Sequence, residues 1–261
     1  LYQNKYILAF ISIVCSILIR PTLDILTILI ILSFSYFVFK DSFRDSAKKI
    51  LFFILIYSFM FSPWWIYNYK RFDQFVRLNL GFGTVLYSGN NELNKTGGGN
   101  LHEDFNFDLV KNVAPMEADK ILKDEAIKFI INNPLRFIDL SVKKFFRFFN
   151  IHPNYKSTNI IGVNPEQEEK NKILSLLIFI SGLSMVSLYG FSLLSLFFLK
   201  KYKMKKIVPL LIYFFLLTGI HMVTIASIRY RFPLTFILII LSSFSISNVI
   251  NKFKNERKKY F

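Results

Sequence analysis

Six stretches of the chain carry no Asp, Glu, Lys or Arg: Tyr6–Ile19, Ile25–Phe39, Ile50–Tyr67, Ile173–Leu199, Ile207–Ile228 and Phe232–Asn251, of 14, 15, 18, 27, 22 and 20 residues. A bilayer core is about 30 Å thick and a helix rises about 1.5 Å per residue, so roughly 18 or more uncharged apolar residues are enough to cross it. Four of the six stretches reach that length. Composition agrees, since 53% of the residues are hydrophobic and 19% charged, against about 45–50% and about 25% in soluble domains. The chain reads as an all-α polytopic membrane protein of about six transmembrane helices with a large extracytoplasmic loop, and soluble enzyme classes are excluded.

Charge supplies the threading. Lys and Arg number 33 against 17 Asp and Glu, +16 overall. In a soluble protein that excess would suggest nucleic acid; here the cations gather at the ends of apolar stretches, where they report topology instead. Residues 200–206 hold Lys200, Lys201, Lys203, Lys205 and Lys206, and the tail 252–261 holds Lys252, Lys254, Arg257, Lys258 and Lys259. Both are expected to be cytoplasmic. Working back, 173–251 forms three spans, 68–172 is extracytoplasmic, and 1–67 forms three spans with the basic turn Lys40–Lys49 inside. Both termini then face the cytoplasm of a plasma (inner) membrane. The first two stretches are short and fit either thin spans or a re-entrant hairpin; both return the chain to the same side. The single Cys15 allows no intrachain disulfide. A start at Leu1 without a signal-peptide pattern reads as a portion lacking its natural N-terminus.

Within 68–172, Leu78–Gly99 is rich in Gly and Asn and is expected to be turns and irregular loop. Pro115 and Pro134 stand where first helical positions belong, predicting helices over 115–131 and 134–149. The second mixes Phe137, Phe145, Phe146, Phe148 and Phe149 with Arg136, Lys143, Lys144 and Arg147. That mixture suits a helix lying in the headgroup layer, and equally one packed on neighbouring helices. Asn94-Lys95-Thr96 fits a glycosylation acceptor pattern, and the acidic residues of the loop show no metal-ligand spacing, so no metal is expected.

The informative polar groups are those at the outer mouth, because a charge near lipid must be paired or wetted. Arg20, His221, Arg229 and Arg231 map there. Arg229 and Arg231 open the last span, where free backbone N–H groups and the positive helix end favour an anion. Both are expected to point at one phosphate; the alternative is snorkelling to lipid headgroups. A lone histidine such as His221 is more often a packed core residue bonded to a neighbour than a functional one, and Trp64 and Trp65 suit an interfacial aromatic belt.

Taken in order, Arg20-Pro21-Thr22, Pro63-Trp64-Trp65-Ile66-Tyr67-Asn68-Tyr69, Leu80-Gly81-Phe82, Gly89-Asn90-Asn91, Thr96-Gly97-Gly98, Glu117-Ala118-Asp119, Asn133-Pro134 and Arg229-Tyr230-Arg231-Phe232-Pro233 span nearly the whole chain. Together they resemble the polytopic GT-C glycosyltransferases, the relatives of dolichyl-phosphate-mannose protein mannosyltransferases and of lipid A aminoarabinose transferases. The resemblance implies transfer of a sugar from a polyprenyl-phosphate carrier to a lipid, glycan or protein acceptor at the extracytoplasmic face, without a cofactor. Arg229, Arg231, Arg20 and Arg71 are then expected to hold the donor phosphate, and His221, Tyr230, Asn68, Asn90 and Asn91 to position substrate. The catalytic carboxylate is expected in the missing N-terminal segment. An O-antigen polymerase or ligase and a lipid-linked-glycan transporter or flippase are the rival readings.

Overall fold

The computed structural model describes residues 3–99, 104–151, 172–199 and 207–257, and all regular structure among them is helical. Nine helices follow in order: α1 Gln3–Ile19, α2 Asp24–Phe34, α3 Phe43–Phe72, α4 Phe82–Gly89, α5 Pro115–Asn132, α6 Pro134–Phe148, α7 Lys172–Leu199, α8 Val208–Val223 and α9 Phe232–Arg257. Three described segments are long and apolar enough to cross a membrane: Phe43–Phe72, Leu176–Leu199 and Ile228–Lys254. The apolar helices Tyr6–Ile19, Leu26–Phe39 and Val208–Val223 are shorter. The basic loop 200–206 and the end of the tail, 258–261, lie outside the described residues.

Helix ends follow local chemistry. Ser42 caps α3, its Oγ accepting the Asp45 N–H at 3.2 Å and donating to the Asp45 carboxylate at 2.7 Å, a reciprocal arrangement that satisfies donors the first turn leaves open. Asp73 ends the same helix in the left-handed conformation, φ 52°. The last turn of the α2 stretch widens into a π-helix over Ser35–Phe39, closed by Lys40 at φ 55°. Pro115 and Pro134 begin α5 and α6, where the missing N–H has no partner to lose.

One expected span is shortened by its neighbours. The charge-free run Ile207–Ile228 has 22 residues, yet α8 has 16, about 24 Å of helix. The helix stops because α4 and α6 close on its last carbonyls. Asn90 and Lys144 donate to Val223 O at 2.8 and 3.3 Å, and Gly89 lies so close to Thr224 that a Cβ there would sit 1.9 Å from its carbonyl oxygen.

The stretch Leu78–Gly99 is also more ordered than its composition predicts, because it contains α4. Glycine permits this by close approach, since a Cβ on Gly83 would lie 1.9 Å from Asp119 O of α5. The Thr84 N–H is accepted by Asp119 Oδ1 at 3.2 Å, and Leu86 and Tyr87 bury against Phe105, Leu122 and Ala126. Packing supplies what propensity lacks. The residues after α4 form a turn wound on two asparagines: Asn91 Oδ1 accepts from Leu93 and Asn94, and Asn94 Oδ1 accepts from Thr96 and Gly97. Asn94 is fully buried and its Nδ2 donates to Ser88 O and Gly98 O, which removes it as a glycosylation acceptor in the folded chain.

Two apolar cores share α2. Phe10, Val14, Ile17, Ile31, Phe53, Tyr57 and Phe61 join α1, α2 and α3. Leu26, Phe148, Leu217, Ala226, Leu234, Ile237 and Leu241 join α2, α6, α8 and α9. α7 meets α9 through small residues, with Ser192 Oγ 2.9 Å from Ser242 Oγ, the close helix approach that lipid-embedded pairs favour. The outward faces stay apolar, as at Phe59, Phe197 and Phe236. α6 has two faces: Leu140, Lys144 and Phe148 are buried, while Leu135, Ile138, Val142 and Phe146 on the opposite side are exposed.

Candidate functional site

Polar groups converge at the end of the bundle where α1 and α8 stop and α9 begins. The 3-10 turn Ile228–Arg231 carries Arg229, Tyr230 and Arg231 into the first turn of α9. The Tyr230 ring lies parallel to His221 of α8, 5.0 Å between centroids at 5°, and His221 in turn stacks on Phe148 of α6 at 5.2 Å. Arg20, in the turn between α1 and α2, sets its guanidinium 4.8 Å from the Tyr230 ring centre, and Arg229 does the same at 5.1 Å while donating to the Tyr230 hydroxyl at 3.2 Å. Two cations from segments 209 residues apart (229 minus 20) thus share one aromatic ring, each such contact contributing about 0.5–2 kcal/mol.

Several polar atoms at this end of the bundle have no hydrogen-bond partner among the described residues. Arg20 Nη2, His221 Nε2 and Thr218 Oγ1 are buried without a hydrogen bond. His221 Nδ1 stands 3.1 Å from Ile225 O; a carbonyl only accepts, so the proton sits on Nδ1 and Nε2 offers a lone pair. An unbonded buried donor or acceptor costs about 1–3 kcal/mol, a penalty that a bound ligand would lift.

Arg231 behaves differently from Arg229. It is buried, and its Nη1 donates to Phe148 O at 3.3 Å, Asn150 O at 2.8 Å and Tyr189 Oη at 2.5 Å. The guanidinium therefore closes the C-terminus of α6, where carbonyls and the helix dipole favour a cation. The shared anion expected for these two arginines is not what the turn provides: at about three residues per turn, positions two apart point to different sides.

The other expected site residues are placed elsewhere or are engaged. Arg71 is exposed near the end of α3, its guanidinium 5.2 Å over Phe72. Asn68 is buried and donates to Trp64 O at 2.8 Å. Asn90 is fully buried, donating to Leu86 O and Val223 O and accepting from Lys144 Nζ at 2.8 Å. Asn91 donates to Tyr87 O and Asp104 O. These asparagines hold backbone in place.

Two charged residues outside the expected set prove structural. Lys144 is fully buried and forms no ion pair among the described residues; its Nζ donates to Asn90 Oδ1 and Val223 O. Burial pushes its ammonium down to about 7. Asp24, buried at the start of α2, pairs with Arg77 at 2.6 Å and so ties the loop after α3 to the turn that holds Arg20. Nothing in the sequence marks Lys144 out, since its neighbours there are the cations Lys143 and Arg147. No family model, curated protein or solved structure matches the chain.

Proposed function

We propose that the protein is a membrane glycosyltransferase that takes a sugar from a polyprenyl-phosphate carrier and transfers it to a lipid, glycan or protein acceptor at the extracytoplasmic face. The observation that carries the reading is the convergence of Arg20 and Arg229 on Tyr230, beside the unpartnered Nε2 of His221, at the end of an apolar helix bundle. In this reading all six apolar segments lie in the membrane, α4 to α6 face outward, both described ends of the chain face the cytoplasm, and the protein resides in the plasma membrane. The basic residues Lys40, Arg44, Lys48 and Lys49 between α2 and α3 support that threading.

The chemistry asked of the cluster is charge stabilisation. As the glycosidic bond to the carrier breaks, negative charge grows on the departing phosphate. Preorganised cations stabilise that charge more in the transition state than in the ground state, which lowers the barrier. Arg20 and Arg229 take the phosphate oxygens. Tyr230 holds both guanidinium groups over one ring, and His221 Nε2 accepts from a sugar or phosphate hydroxyl. Arg231 positions the turn by anchoring it to α6. Among the described residues the cluster holds no carboxylate, so its part is to stabilise the leaving group.

Binding of a polyprenyl-phosphate sugar to the purified chain in nanodiscs tests the reading. Arg20→Ala and Arg229→Ala are each expected to weaken binding at least about tenfold, a loss of about 1.4 kcal/mol, with membrane insertion intact. Undiminished binding in both variants would overturn it.

A further inference from the structure

A second concavity lies away from the arginine cluster, between the turn after α4 and the end of α5. Its volume is about 460 Å³, and Tyr87, Glu92, Asn106, Phe129, Asn132 and Asn133 are among its walls. The lining is unlike that of the membrane helices. The rings of Tyr87 and Phe129 form part of the wall, nearly buried. Around them stand amide groups and two carboxylates, Glu92 and Glu125. Glu125 is neutralised by Lys128 at 2.6 Å, while Glu92 forms no ion pair among the described residues. Burial first, then the charges of Glu125 and Glu92, raise the Tyr87 hydroxyl above its ordinary range.

The walls are held rigidly although the ligand-facing groups are not used. Arg136 at the start of α6 donates to Glu92 O at 2.5 Å, and the Asn91 side chain bonds four backbone groups of the turn and its neighbours. By contrast, the side chains of Asn132 and Asn133 make no hydrogen bond among the described residues. Aromatic surface with unengaged amides and one uncompensated carboxylate suits a ligand with apolar ring faces and many hydroxyl groups, and disfavours an anion.

We infer that this pocket binds a saccharide unit, neutral or bearing an amine. Glu92 accepts from its hydroxyl groups, Asn132 accepts from and donates to them, and Tyr87 and Phe129 supply the apolar wall for its C–H surface. Saccharide binding stands without the donor reaction; service as the acceptor subsite rests on the transferase reading.

Saturation-transfer NMR on the full chain in nanodiscs tests the inference, with methyl α-mannoside, methyl β-glucoside, N-acetylglucosamine and glucosamine as probes and glucuronate as the anionic control. At least one neutral or amine-bearing probe is expected to receive saturation and glucuronate none. Glu92→Ala and Asn132→Ala, both exposed positions whose loss leaves no buried group unpaired, are each expected to weaken binding about tenfold. No signal from any of the four probes, an equal signal from glucuronate, or unchanged signals in both variants would overturn it. Arg229→Ala is expected to leave the saccharide signal unaltered, so failure here and failure of the phosphate site are read separately.

Discussion

Lys144 and Arg231 on one side, and Arg20 and Arg229 on the other, are four cations in one bundle with opposite states of engagement. Lys144, from α6, donates to the last carbonyl of α8, and Arg231, from the turn after α8, donates to Phe148 O at the end of α6 and to Asn150 O just beyond it. Each closes the other's helix, so α6 and α8 are locked by reciprocal caps at their negative ends. Among the described residues Arg20 and Arg229 have no carbonyl or carboxylate partner and rest on an aromatic ring instead. The difference teaches that a buried cation is not by itself a binding group: the carbonyls around it decide whether its donors are occupied or available.

The largest expected effect that would break this contrast comes from Arg231→Ala. Removing the guanidinium leaves Phe148 O, Asn150 O and the Tyr189 hydroxyl without their donor, and about 3 kcal/mol of stability should go with it. Thermal unfolding in detergent measures this; a variant as stable as the parent would place Arg231 with the available cations.

Gly89→Ala should be nearly as damaging, since its Cβ would sit 1.9 Å from backbone Thr224 O and neither backbone yields easily. A lowered melting temperature together with weaker phosphate binding is expected, because Thr224 stands between His221 at the end of α8 and the turn that bears Arg229 and Tyr230.

Lys144→Met leaves Asn90 Oδ1 unpaired and should cost about 2 kcal/mol at high pH. It also has a pH signature. The unfolded chain keeps the Lys144 proton to its ordinary value of 10.5, while the folded chain releases it near 7. Between these values the unfolded state binds more protons, so stability rises with pH across that window, by at most about 1.4 kcal/mol per unit, and is lowest below it. Melting curves between pH 7 and 9 are expected to climb in the parent and lose that component in Lys144→Met.

Arg20→Ala and Arg229→Ala should move stability least, by about 0.5–1 kcal/mol each, while they carry the loss of polyprenyl-phosphate binding. A stability loss as large as that of Arg231→Ala would make them structural and dissolve the contrast.

Much of the architecture is legible residue by residue. The charge-free runs locate the apolar helices, and Pro115 and Pro134 predict helices at 115–131 and 134–149 against Pro115–Asn132 and Pro134–Phe148 in the fold. α4 is not legible, because its glycines read as turn residues until α5 and Thr224 are there for them to approach. The end of α8 is hidden for the same reason: nothing between Val223 and Ile228 breaks a helix, and donors from α4 and α6 do. At the site, Arg20, His221 and Arg229 are recognisable as polar groups at the end of apolar runs, whereas Asn90 and Asn91 look like ligand-facing amides and prove to be backbone supports.

The sequence by itself determines that the chain is helical and apolar enough to enter a membrane, and where most helices start; the structure decides that three of the described helices are long enough to cross it. Transfer free energy and hydrogen bonding within a helix act along the chain, so both can be read from it. Tertiary structure decides which cations are occupied and where α8 stops. Those outcomes depend on carbonyls brought from 81 to 83 positions away for Arg231 and 79 for Lys144, distances over which no local pattern carries information.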